Sequence, residues 1–127
     1  MPVTIYRLDD EPIIVAIFND SVDSADMLKM YQRSDALIHE SENIFRVTDF
    51  RHVDTTIEEV LKMLMDARKD IKGSSSDPRI RPVLLGNNKW SKIASEALKQ
   101  MGIQLPIFNS MGDALQFIRR VLAQHAS

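Results

Sequence analysis

The sequence predicts a single α/β domain over residues 1–127, with helices packed on one mixed, mostly parallel sheet and elements in the order β-β-α-β-α-β-α-β-α. Three observations carry this expectation. Short β-rich apolar runs alternate with stretches whose apolar residues recur every 3.6 positions. The run Ile13 to Phe18, IIVAIF, is apolar without alternation, as in a strand covered on both faces. Capping residues or glycines stand where each helix would begin or end. Strands alternating with helices of roughly 10 to 15 residues call for parallel β-α-β units with right-handed crossovers.

Val3 to Leu8 and Ile13 to Phe18 read as an opening hairpin, interrupted by Asp9-Asp10-Glu11-Pro12. The first run carries Thr4 and Arg7 and suits a sheet edge. Asn19 to Ser24 supplies caps for a helix whose inner face is Met27, Met30, Tyr31, Ser34, Leu37 and Ile38. IFRVTDF, from Ile44, is the next strand and ends in a charged corner, Asp49-Phe50-Arg51. Thr55 with Glu58, or Thr56 with Glu59, can open a capping box for a helix with Ile57, Val60, Leu61, Leu64, Arg68 and Ile71 inward. Arg68 would lie where that stripe reaches solvent, and Gly73 is placed to end the helix. GSSSDPR, Gly73 to Arg79, reads as a flexible loop. Pro82 to Leu85 is a short strand, followed by Gly86, caps at Asn87 or Asn88, and a helix with Trp90, Ile93, Ala94, Ala97, Leu98 and Met101 inward. Gly102 stops that helix, Leu105 to Phe108 forms the last strand, and Ser110 with Asp113 opens a helix bearing Leu115, Ile118, Val121 and Leu122.

The totals exclude several classes. With 16 Lys+Arg against 18 Asp+Glu the net charge is −2, so no basic field draws in nucleic acid. The 44% hydrophobic and 27% charged content suits a folded globular chain. Without cysteine there are no disulfides, thiolate ligands or cysteine nucleophiles. MPVTIYRLDD lacks the regions of a secretory signal, and no apolar run approaches the roughly 20 residues that span a bilayer, so a cytoplasmic location is expected. His39, His52 and His125 lie in separate elements without ligand spacing, and the four glycines match no phosphate or dinucleotide loop. No metal, no cofactor and no catalytic residue is assigned.

Ligands of open α/β sheets favour the crevice at the carboxyl ends of the strands, where helix N-termini present free N–H groups. Asp49, Arg51, Thr55, Thr56, Gly86, Asn87, Asn88, Asn109 and Ser110 converge there in sequence terms and are the expected partner- or ligand-binding residues. The competing explanation is structural: the Thr, Asn and Ser residues as caps and Asp49 with Arg51 as an ion pair.

The element order, VTDFRHVDTT before a helix, and the combination of GSSSDPRIRPVLLGNN with LPIFNSMGDALQFIR resemble small bacterial proteins of the STAS or SpoIIAA-like class. The resemblance implies a SpoIIAA-like fold and a non-enzymatic regulatory module that engages a protein partner, a kinase or other regulator. It also implies phosphoacceptors at Thr55 or Thr56, because Asp54-Thr55-Thr56 is similar to the Asp-Ser-Ser-Gly motif of anti-sigma factor antagonists; Ile57 stands where that motif has glycine. Two rivals stay open: a carrier of a small apolar, lipid-like or anionic molecule, and a hydrolase using Asp49 or Asp54. A homodimer through Met-rich helix faces or an edge strand is a further expectation.

Overall fold

The computed structural model describes residues 3–39, 42–67, 69 and 71–126, with the backbone alone at 67, 125 and 126. The expectations for the side chains of Arg68 and His125 fall outside the described residues. The elements are β1 (Val3–Arg7), β2 (Ile13–Ser21), α1 (Ser24–Leu37), β3 (Ile44–Asp54), α2 (Ile57–Ala67), β4 (Ile80–Leu85), α3 (Lys89–Gln100), β5 (Ile107–Phe108) and α4 (Met111–Ala126). They form one five-stranded sheet in the order β1-β2-β3-β4-β5. β1 is antiparallel to β2 and the remaining pairs are parallel.

This order dictates the layers. From β2 to β5 each crossover steps the same way across the sheet, so right-handed connections place α1, α2 and α3 on one face. The other face would be bare if the chain stopped at β5, and α4 covers it. Strand alternation then sorts the core. Ala16, Phe18, Phe50 and Leu84 meet Met27, Met30, Tyr31, Val60 and Met63 on the first face. Ile13, Val15, Phe45, Val47, Val83 and Leu85 meet Ala114 and Ile118 on the second.

Four local expectations are corrected. β3 does not end at the Asp49-Phe50-Arg51 corner but runs to Asp54. Its pairing with β2 steps from Ile17↔Asp49 to Asn19↔His52, so β3 holds one extra residue there. The Asp49 carboxylate accepts the Arg51 backbone N–H at 3.0 Å and stabilises this bulge locally. The bulge inverts the alternation, and Val53 therefore joins the same core as Phe50.

On α2 the inward residues are Val60, Met63 and Leu64, whereas Ile57 and Leu61 are exposed. The helix carries two overlapping apolar stripes, and periodicity alone does not say which one the sheet takes. Gly73 does not end α2, which stops at Ala67. Its φ is +87°, and a Cβ there would sit 1.9 Å from the Tyr31 carbonyl oxygen, so close backbone approach to α1 demands glycine. The GSSSDPR stretch is fastened to the body of the protein: Ser74 is fully buried, Asp77 nearly so, and the Gly73 N–H donates to Asp77 Oδ2 at 2.8 Å.

Candidate functional site

The residues at the carboxyl ends of the strands divide between the two faces of the sheet. Asp49 is 1% exposed and pairs in register with Ile17 and Leu85, both of which pack on the α4 side. Arg51 holds it with Nε at 3.0 Å and Nη2 at 2.9 Å, a bidentate pair. That hydrogen bonding raises the Arg51 pKa further above its ordinary value. Thr55 lies on the other side, lining a cavity between the sheet and α1–α3. Its hydroxyl donates to the Val22 carbonyl at 2.9 Å.

Most of the rim's polar atoms serve helix starts. Thr56 is exposed and its Oγ1 accepts the Glu59 N–H at 3.2 Å. Glu59 does not complete the expected box; its carboxylate accepts from the Ser24 N–H at 3.3 Å and from Lys62 at 3.4 Å. Asn88 caps α3, accepting the Ser91 N–H at 2.9 Å, while its Nδ2 donates to the Phe50 carbonyl at 2.9 Å and ties α3 to the β3 bulge. Gly86, with φ +140°, makes the turn between β4 and that cap. Ser110 Oγ accepts the Asp113 N–H at 3.1 Å at the start of α4. Asn87 and Asn109 are exposed.

Sequence reasoning missed three features, all on the α1–α3 side. The first is Arg46, fully buried near the start of β3. Its Nη1 donates to Ser34 Oγ at 3.2 Å and to the Gly73 carbonyl, and Nη2 donates to Ser75 Oγ at 3.3 Å. The guanidinium lies 5.6 Å from the centre of the Tyr31 ring. Among the described residues no carboxylate stands within ion-pair distance of it. Burial pulls its pKa down to about 10, so it stays cationic at neutral pH. The signal was legible: an arginine inside the apolar run IFRVTDF.

The second is an apolar cavity of about 60 Å³ between the sheet and α1–α3, whose walls include Met27, Met30, Met63, Phe50, Trp90 and Leu98. Tyr31, Thr48, Thr55 and Ser75 are its polar-bearing walls. The Tyr31 hydroxyl and Arg46 Nε are buried without a hydrogen-bond partner among the described residues. Burial raises the Tyr31 pKa above its ordinary value, so the hydroxyl keeps its proton. The third feature is the outer stripe of α2, where Ile57, Leu61 and Met65 are 52%, 54% and 65% exposed at i, i+4, i+8 spacing.

The fold has a counterpart among solved structures. An uncharacterized protein of the DUF3478 family with a SpoIIAA-like fold, from Shewanella loihica PV-4, superposes with a TM-score of 0.60 at 17% identity, covering 91% of this chain and 90% of the other. The chain has a SpoIIAA-like fold. No family model matches the sequence, and neither does any curated protein. Among the described residues no cluster of three or more His, Cys, Asp or Glu could hold a metal ion. Among the same residues no helix is long and apolar enough to cross a membrane.

Proposed function

We infer that this SpoIIAA-like protein is a non-enzymatic regulatory module of STAS type, which engages a protein partner through the rim at the start of α2 and the outer stripe that continues from it. The observation that carries this reading is the run Ile57, Leu61 and Met65 on an exposed helix face, beginning directly after Thr55-Thr56. An apolar stripe of this spacing is the surface by which a helix meets a partner groove or helix. Thr56 is the better phosphoacceptor of the two, being exposed, whereas the Thr55 hydroxyl is half-buried and committed to Val22. A phosphate on Thr56 would add about −1.5 to −2 charges at a helix N-terminus beside the stripe, altering the surface while leaving the fold intact. A hydrolase using Asp49 and Asp54 finds little support: Asp49 is buried with both oxygens on Arg51, and Asp54 is exposed at the far end of β3.

A photo-crosslinker at Leu61, compared with one at Gln116 on the exposed side of α4, tests the reading in cells that make the protein. A discrete protein adduct is expected from position 61 alone, and it should disappear in Thr56→Glu. Equal capture from both positions, or none from 61, would refute the partner surface.

A further inference from the structure

We propose that the open edge of β1 takes an extended acidic segment of a partner protein as a further strand of the sheet, with alternate carboxylates of that segment meeting Lys29 and Arg33 on α1. Two independent observations carry this: the direction of the backbone groups of β1, and the placing of two cations beside them.

The Leu8 N–H donates to the Ile13 carbonyl at 2.9 Å, and Tyr6 and Thr4 follow in the same register opposite Val15 and Ile17. Alternation in an antiparallel pair therefore aims the N–H and C=O groups of Val3, Ile5 and Arg7 away from β2, the only strand beside β1. Val3 is closed off at 2% exposure, which leaves Ile5 and Arg7, both half-buried, as the open stretch. The far edge of the sheet is built differently. There the Leu84 and Gly86 N–H groups donate to the Pro106 and Phe108 carbonyls, so position 82 faces the same edge before β5 begins, and it is a proline with no N–H to offer. β1 has no such guard: its one charge, Arg7, is drawn inward by Glu42 and the Leu37 carbonyl.

Charge selects what pairs there. Lys29, Arg33 and Leu37 stand at i, i+4 and i+8 on one face of α1. Leu37 packs in the same cluster as Ile5, which turns this face towards β1, whereas Ser24 and Asp35 bond to Glu59 and Arg79 on the other flank. Lys29 and Arg33 are exposed and form no ion pair among the described residues. They lie about 6 Å apart along the helix axis, close to the about 6.7 Å between side chains on one face of a strand. An acidic residue at every second position thus meets both cations. The opposite face of the added strand lies beside Thr4 and Tyr6, the latter 42% exposed, and favours apolar residues. A second copy of this chain would bring the Lys29 and Arg33 of both copies together, and fits less well. The edge is a different surface from the α2 stripe, and the pure protein suffices to test it.

The probe is a short blocked peptide alternating glutamate and valine, with one alternating lysine and valine as the control, followed by amide hydrogen exchange of the full chain. The glutamate peptide should slow exchange at Ile5 and Arg7 saturably and leave Thr4 and Tyr6, already bonded to β2, unchanged. It should bind about tenfold more tightly than the lysine peptide, with the difference shrinking as salt is added. Lys29→Glu with Arg33→Glu should reverse the preference. Both side chains are exposed, so the variant should fold as the parent does, and its melting temperature verifies this. No saturable slowing at Ile5 and Arg7, equal affinity for the two peptides, or an unreversed preference in the double variant would each overturn the proposal. Protection of Ile5 and Arg7 that rises with protein concentration and needs no peptide would assign the edge to a second copy, and overturn it too.

Discussion

The two faces of the sheet are built to different standards. On the α4 face, Ile13, Val15, Val47, Val83, Leu85, Ala114 and Ile118 are nearly all out of contact with solvent, and the charge on Asp49 is met by Arg51 at two points. The α1–α3 face leaves a void, a helix with a second apolar stripe turned outward and, among the described residues, a guanidinium without a carboxylate at ion-pair distance and a hydroxyl without an acceptor. An unpaired buried charge costs several kcal/mol, a large share of the stability of a domain this size. Such costs concentrate where a protein does something other than hold itself together. The contrast supports the proposed reading, in which α4 and its side of the sheet are scaffold and the opposite layer is the working surface.

The largest expected effect breaks the scaffold. Ile118→Ala should destabilise by about 2–5 kcal/mol, since the rigid α4 side has little room to collapse around the loss. The sharpest comparison uses the same substitution on the two faces. Ala114→Leu should overpack the α4 side and cost about 1–3 kcal/mol, whereas Ala94→Leu, on the cavity wall, should stabilise by about 0.5–2 kcal/mol. Urea unfolding of both variants reads the sign directly, and costs of equal size would erase the distinction between the faces.

Acid should loosen the α1 side through the Gly73 to Arg79 stretch. The Arg79 guanidinium holds the Asp77 carboxyl well below the usual carboxylate range, helped by the N–H groups of Gly73 and Arg79. Folding lowers this pKa, so the stabilisation is complete above the ordinary value of 3.8 and is lost as pH falls below it. Melting temperatures between pH 5 and pH 2 should therefore fall less steeply for Asp77→Asn than for the parent. The smallest effect is on the outer stripe of α2. Leu61→Ser with Met65→Ser should change stability by no more than about 0.5 kcal/mol, because both side chains are already exposed.

Much of the architecture is legible in the chain. The unalternating IIVAIF, the periodicity from Trp90 to Met101 and the glycine at 102 anticipate β2, α3 and its stop. The strand-end residues are harder. Thr56, Asn88 and Ser110 read equally well as caps or as ligand contacts, and in the structure their oxygens accept helix N–H groups. The Asp49 bulge was hidden because a side chain that satisfies its own backbone leaves no periodic trace. α2 was ambiguous because apolar residues lie on both its faces, and only the sheet's demand selects Val60 and Met63. Arg46 is a lone charge inside an apolar strand run, and the pattern by itself does not say that its side chain is fully buried.

Xenon tests the difference between the faces most directly. It enters dry apolar voids and has no other requirement of its site. Methionine methyl spectra under xenon pressure place reporters on both sides, with Met27, Met30 and Met63 around the cavity and Met111 packed against the α4 core. Saturable shifts confined to the first three are predicted. Shifts of equal size at Met111, or none at Met27, Met30 and Met63, would contradict the division of the molecule into a sealed scaffold and an open working face.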